Sequence, residues 1–288
     1  MICTMRDIPL PEIQASDLLA LLDKKRTGGS KDNDGILIVE EPSEGSKSRE
    51  LLCDQEKLRE MALKQLHAVA ELEKKGLMEE NDNRMQGARL GHLIGYYLNA
   101  LPEDRPENNF IATNKGKSFY RELKNAWNSH FSTKDDNFHK RWVGAVGELC
   151  VQKVLREICS QQGIDLKLEE IVSGKHFDQM LRRDVLNQVD VRALIAGKLV
   201  DIQAKMMGDP ELRSGEFAKI GSGEAGLGDK SQWENPVYNY LSFYVYYNGM
   251  NTNLLNMYTG KPSKRMIQTL TADLMRKLEL QTIPSTKN

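Results

Sequence analysis

The sequence predicts a mixed α/β fold, with a helical N-terminal half followed by a half that combines a β-sheet with helices. Three observations lead there. Between residues 54 and 161, apolar side chains recur every three or four positions in four separate stretches, the period of amphipathic helices. The segment VDVRALIAGKLVDIQAKMM (189–207) is rich in Val, Leu and Ile around a central glycine. YLSFYVYYN (240–248) has the aromatic and β-branched content of a strand.

Residues 1–53 read as a short helix plus a flexible linker. SDLLALLDKK is amphipathic, with Ser16 or Asp17 placed to cap it. In the following Gly-, Ser-, Asp- and Lys-rich stretch, one apolar island (Ile36 to Val39) is too little to offset the entropy of ordering the rest. Residues 54–132 form a helical region suited to target recognition or dimerisation. Its helices are expected over 54–80, over 84–102 with Pro102 as the stop, and over 115–131. The third unit, 133–288, opens with a helix from the Asp135–Asp136 pair to Gly163, striped by Val143, Val146, Cys150, Val154 and Ile158. The Gly-rich stretch 208–236 reads as low-order, NLLNMYTG as a strand or short turn, and 263–281 as a final helix capped by Ser263.

Composition narrows the class. Apolar residues make up 40% and charged residues 28%, with a net charge of −1, so any polyanion-binding surface must be a local patch. Cys3, Cys53, Cys150 and Cys159 form no CxxC pair, which suggests reduced thiols and a cytoplasmic setting. His67, His92, His130, His139 and His176 are scattered and form no zinc-like pair at short helical spacing. No apolar run reaches the roughly 20 residues that span a bilayer, and MICTMRDIPLPE lacks a signal peptide's apolar core.

The segment 189–207 admits two readings. As a hairpin turning at Gly197-Lys198, its second strand puts Val200, Ile202, Ala204 and Met206 on one face. Asp201, Gln203 and Lys205 fall on the other. As one long helix, the same polar residues would form a wet face, and the protein would be a mostly helical, non-enzymatic nucleic-acid-binding or assembly factor. β-branched density and the central glycine favour the hairpin. Upstream, in GAVGELCVQKVL, Glu148 lies on a line with Gly144, Val151 and Leu155, at the edge of the buried stripe. A carboxylate there needs a hydrogen bond, a charge partner or a metal, and Lys153 and Arg156 are near in sequence.

A helix Glu, a strand Asp and a Q-x-K strand, in that order, resemble the restriction-endonuclease-like PD-(D/E)xK nuclease superfamily in the variant seen in Mrr-like endonucleases. The resemblance covers roughly residues 140–250. Val189 stands in place of the name-giving proline, and Gln203 in place of the usual acid. It implies a mixed sheet flanked by helices and an Mg²⁺-dependent deoxyribonuclease of restriction-system type, with Mn²⁺ as a substitute ion. Glu148, Asp190, Gln203 and Lys205 would be catalytic, and Asp190, Gln203 and Glu148 would hold the metal, with Asp201 as a further ligand candidate. DNA is the expected partner and a homodimer the expected assembly; a catalytically inactive, DNA-binding version of the fold is the alternative. Arg182, Arg183, Arg192, Lys261, Lys264 and Arg265 are candidates for phosphate contact. Tyr238, Tyr240, Phe243, Tyr244, Tyr246 and Tyr247 could stack on bases, although a strand packed on the core explains them more simply.

Overall fold

The computed structural model describes residue 52 and residues 54–108, 110–131, 137–170, 175–207, 225–229, 239–246 and 254–279. The N-terminal helix and linker, the Asp135–Asp136 helix start and most of the Gly-rich stretch lie outside these residues. Six helices are described: α1 (Gln55–Lys74), α2 (Asn81–Asn99), α3 (Ile111–Asn128), α4 (Asn137–Gln162), α5 (Lys175–Asn187) and α6 (Lys264–Lys277). The strands are β1 (Leu166–Leu168), β2 (Val191–Ile195), β3 (Lys198–Met207), β4 (Ala225–Asp229) and β5 (Asn239–Tyr246). They form one sheet in the order β1-β2-β3-β5-β4, with β3 and β5 parallel and the other pairs antiparallel. None of the described helices is long and apolar enough to cross a membrane.

Most helices fall where periodicity places them, with ends moved by capping. The first stops at Lys74, short of 80. The third starts four residues early, because Asp104 accepts the backbone N–H groups of Ala112 (2.7 Å) and Thr113 (3.1 Å) at its free end. Ser263 caps the last helix as expected, accepting the Met266 N–H at 3.2 Å. Two elements, α5 and β1, and the strand β4 inside the Gly-rich stretch have no counterpart in the sequence reading.

α4 is buried on nearly every side, from Phe138 through Cys159, so it lies inside the molecule. It packs on α2 and α3 on one side and on the sheet on the other. One apolar core therefore runs from Leu58 to Leu278 and joins the two regions that the sequence divides at 132/133. α4 and α6 cover the same sheet face, meeting β3 and β5 at an apolar seam lined by Val154, Leu155, Ile202, Phe243, Leu270 and Leu274. Within NLLNMYTG, residues 254–260 form a turn closed by a Leu255–Pro262 bridge. It is tied to α4 by the Trp142 indole, which donates to the Met257 carbonyl at 2.9 Å, and by Lys153, which donates to the Thr259 carbonyl at 2.8 Å.

Burial, with Arg156 beside it, lowers the Lys153 ammonium from 10.5 to about 8. Between those values the folded protein has released a proton that the unfolded chain still holds, so stability rises with pH across this window. Lys153→Met should remove a rise on the order of 2 kcal/mol. Urea unfolding of both proteins at pH 7.5 and 9.5 measures it.

The β2–β3 hairpin forms, so residues 189–207 are not one helix. Its turn is Ala196-Gly197, one residue earlier than expected, with Lys198 already paired to Ile195. Both turn residues have positive φ, 50° and 78°, as a type I′ turn requires. Glycine adopts this freely and alanine does not. Ala196→Asn should therefore raise stability by about 0.5–1 kcal/mol, seen as an increase of about 1–2 °C in Tm.

Candidate metal centre and active site

Glu148 projects from the middle of α4, one residue after Gly147, against which Met206 of β3 is pressed; a methyl group on Gly147 would lie 2.5 Å from Met206 Cγ. The Glu148 side chain keeps only 20% of its surface. Lys153 and Arg156 do not pair with it: Lys153 binds the Thr259 carbonyl and Arg156 pairs with Glu170. Its neighbours are instead His92 of α2 and two further carboxylates, Asp184 of α5 and Asp190. Burial, then the charges of Asp184 and Asp190, push the Glu148 carboxyl well above the usual carboxylate range.

Asp190 sits where β2 and β3 part. Its N–H donates to the Ile202 carbonyl at 3.0 Å, continuing the ladder. One step on, its own carboxylate takes the place of a backbone carbonyl, accepting the Ala204 N–H at 2.6 Å. The charged group is thereby fixed in the fork between the strands, at the Q-A-K segment. The chain reaches this point from α5, which ends at Asn187 and is followed by Gln188 in the left-handed region (φ 56°), with the Val189 N–H turned back to the Arg183 carbonyl at 3.3 Å.

Gln203 is 4% exposed and donates its amide N–H to Gln188 Oε1 at 2.8 Å. Its amide oxygen has no hydrogen bond among the described residues and is free to act as an acceptor or ligand. Lys205 is exposed and forms no ion pair among the described residues. Strand alternation puts it on the face with Gln203, whereas α4 covers the face of Ile202 and Met206. Glu148 and Lys205 thus belong to opposite faces of the sheet, and Asp190 lies in the fork between them.

Expectations for four residues are corrected. Arg192, expected on a phosphate-facing surface, is buried and clamps Asp201 through two hydrogen bonds of 2.6 and 2.7 Å. The two residues are register partners, so their side chains share one sheet face, and the bidentate pair offsets the cost of burying both charges. Asp201 is consequently committed to Arg192 and is no ligand. Arg183 likewise pairs with Glu169. Arg182, Lys261, Lys264 and Arg265 are exposed. Phe243 faces the apolar seam, away from any stacking position.

His92 and Asp184 escaped the sequence reading. His92 is 5% exposed in an otherwise apolar helix stripe, Leu90 to Leu98. Asp184 follows Phe177, Met180 and Leu181 at helical spacing. A polar residue on a buried stripe was the available signal in both cases.

One ligand atom from each of His92, Glu148 and Asp184 lies within 4.8 Å of the others. Neither Glu148 nor Asp184 pairs with a lysine or arginine among the described residues. Carboxylates gathered in a half-buried place around an imidazole fit a divalent cation, which supplies the missing positive charge. No family model matches the chain, and neither the curated proteins nor the solved structures give a match.

Proposed function

We propose that this protein is a divalent-metal-dependent endonuclease that hydrolyses DNA phosphodiester bonds on a restriction-endonuclease-like core. The observation that carries the reading is the fork: Asp190 is bound to the Ala204 N–H inside the Q-A-K segment, where its charge acts on the half-buried Glu148 carboxyl. The order of elements supports it too, as a Glu-bearing helix, the β2–β3 hairpin and a strand parallel to β3 follow in that sequence.

A bound divalent ion would lower the pKa of an attacking water and offset charge on the phosphorane. The chain's own residues do the rest. Asp190 and Glu148 would hold the ion; Gln203 lies with Lys205 on the sheet face opposite Glu148 and would meet the ion only through the Asp190 fork. Lys205, exposed on the substrate side, donates to a non-bridging phosphate oxygen and stabilises the charge that grows there. Arg182, Lys261, Lys264 and Arg265 supply salt-sensitive phosphate contacts. Cutting both strands takes two such sites, which a homodimer provides. A mostly helical assembly protein has lost its main support, since that reading needs a helix through Gly197.

The test is DNA cleavage with Mg²⁺ or Mn²⁺, on single- and double-stranded substrates with and without methylation. Lys205→Ala should lose about 100-fold or more in rate while binding the ion as before. Equal rates in variant and wild type would remove Lys205 from the mechanism. An ion-binding wild type that binds DNA but cuts none of these substrates would leave an inert DNA-binding fold in place of the enzyme.

A further inference from the structure

We infer that the ion at this centre is bound through the His92 imidazole, by its Nδ1 atom, so that the centre takes a first-row transition-metal ion in preference to Mg²⁺. The inference rests on the metal-dependent reading above and adds a nitrogen ligand, from a helix that the PD-(D/E)xK pattern does not include.

The geometry of the ring leads there. His92 Nε2 lies 3.2 Å from Asp184 Oδ2, so this nitrogen is turned to the carboxylate as a hydrogen-bond donor. The other ring nitrogen, Nδ1, points at Glu148 Oε2 from 3.9 Å. That separation is too long for a hydrogen bond. It suits two ligands of one ion, each about 2.0–2.3 Å from the metal. Nδ1 makes no hydrogen bond among the described residues, although the side chain is 95% buried (5% exposed). It is aimed at the Glu148 carboxylate.

The surroundings hold the ring in this state. Tyr96 lies along one side of it with centroids 6.2 Å apart, and Phe177 meets it edge-on at 6.3 Å. A metal-binding imidazole that donates its other N–H to a carboxylate is the usual way to fix tautomer and aim. Asp184 is therefore a positioning residue, acting on the ion through His92. Nitrogen ligation is what separates the candidate ions: Mg²⁺ prefers hard oxygen ligands and retains its waters, while transition-metal ions accept imidazole.

Mn²⁺ is the probe, added at one equivalent to the full-length chain and followed by pulsed electron paramagnetic resonance and calorimetry. The wild type should show ¹⁴N coupling to the bound ion. His67 Nδ1 and His130 Nε2, 2.7 Å apart on the surface of α1 and the end of α3, are a competing nitrogen source. The coupling should therefore persist in a His67→Ala/His130→Ala protein. His92→Gln should abolish it and weaken Mn²⁺ binding about 10- to 100-fold, and Asp184→Asn should weaken binding about 10-fold. Mn²⁺ bound without ¹⁴N coupling in the wild type overturns the inference and leaves the nuclease reading to the Lys205→Ala assay. Mg²⁺ bound as tightly as Mn²⁺ overturns the preference, and no binding of either ion overturns both readings. Coupling in a protein that cuts no DNA supports the inference and overturns the nuclease. Because the wild-type spectrum decides the ligand question, a His92→Gln protein that fails to fold does not stall the test.

Discussion

Asp190→Asn should lower DNA cleavage by about 10²- to 10³-fold and leave the metal-free protein at least as stable as the wild type. The two effects have separate causes. An asparagine oxygen can still accept the Ala204 N–H, so the fork between β2 and β3 keeps its shape. What disappears is one negative charge beside Glu148 and Asp184, whose mutual repulsion the metal-free fold has to bear. Removing it relieves the fold and weakens the ion's hold. The measurement pairs cleavage rates with thermal unfolding in the presence and absence of Mn²⁺. The wild type should gain about 3 kcal/mol at an ion concentration 100 times Kd, and the variant much less at the same concentration. Substantial destabilisation of the metal-free variant would mean that the Asp190 charge serves the fold and not an ion. Active sites commonly carry such local instability for the sake of function.

Gly116→Ala should be the most damaging small substitution, costing about 3 kcal/mol or more and lowering Tm by about 5 °C or more. A methyl group there would lie 2.0 Å from the Tyr258 carbonyl oxygen and 3.0 Å from its carbonyl carbon. Both are backbone atoms, so no side-chain rotation makes room. The turn that carries Tyr258 cannot move alone, because Asn256 donates to Thr113 Oγ1 at 2.7 Å and Trp142 and Lys153 hold the carbonyls of Met257 and Thr259. Gly144→Ala is the control. An added methyl there meets nothing within 4 Å, and exchanging a mid-helix glycine for alanine should stabilise by about 0.5–1 kcal/mol. Thermal melts of the two variants should move in opposite directions. A Gly116→Ala protein that melts with the wild type would mean that the turn does not press on α3.

Much of the fold could be read locally. Leu58, Leu66 and Val69 announced α1, and Ser263 announced the start of α6. The β-branched content around Gly197 announced the hairpin, though its turn falls one residue earlier. α5 was missed because its apolar stripe is short, with Phe177, Met180 and Leu181 amid charged residues. β4 was missed because AGLGD has almost no strand-forming side chains; it is held by pairing with β5. Of the site, the placement of Glu148 at a buried edge and of Asp190 beside the Q-A-K strand was legible. The buried Arg192–Asp201 clamp was not, since a single strand does not show which residue lies opposite across the turn.

The amino-acid order by itself determined which residues turn inward on each element, because a period of 3.6 or 2 is a property of neighbours along the chain. Only the tertiary structure decided that His92, Glu148 and Asp184, drawn from three helices, share one place, near enough to Asp190 for its charge to act on Glu148. Periodicity marks the buried face of a helix or strand, but which buried faces meet is set by packing between distant segments. For this protein it was set by α4, which is buried along most of its length and brings α2 and the sheet together across it.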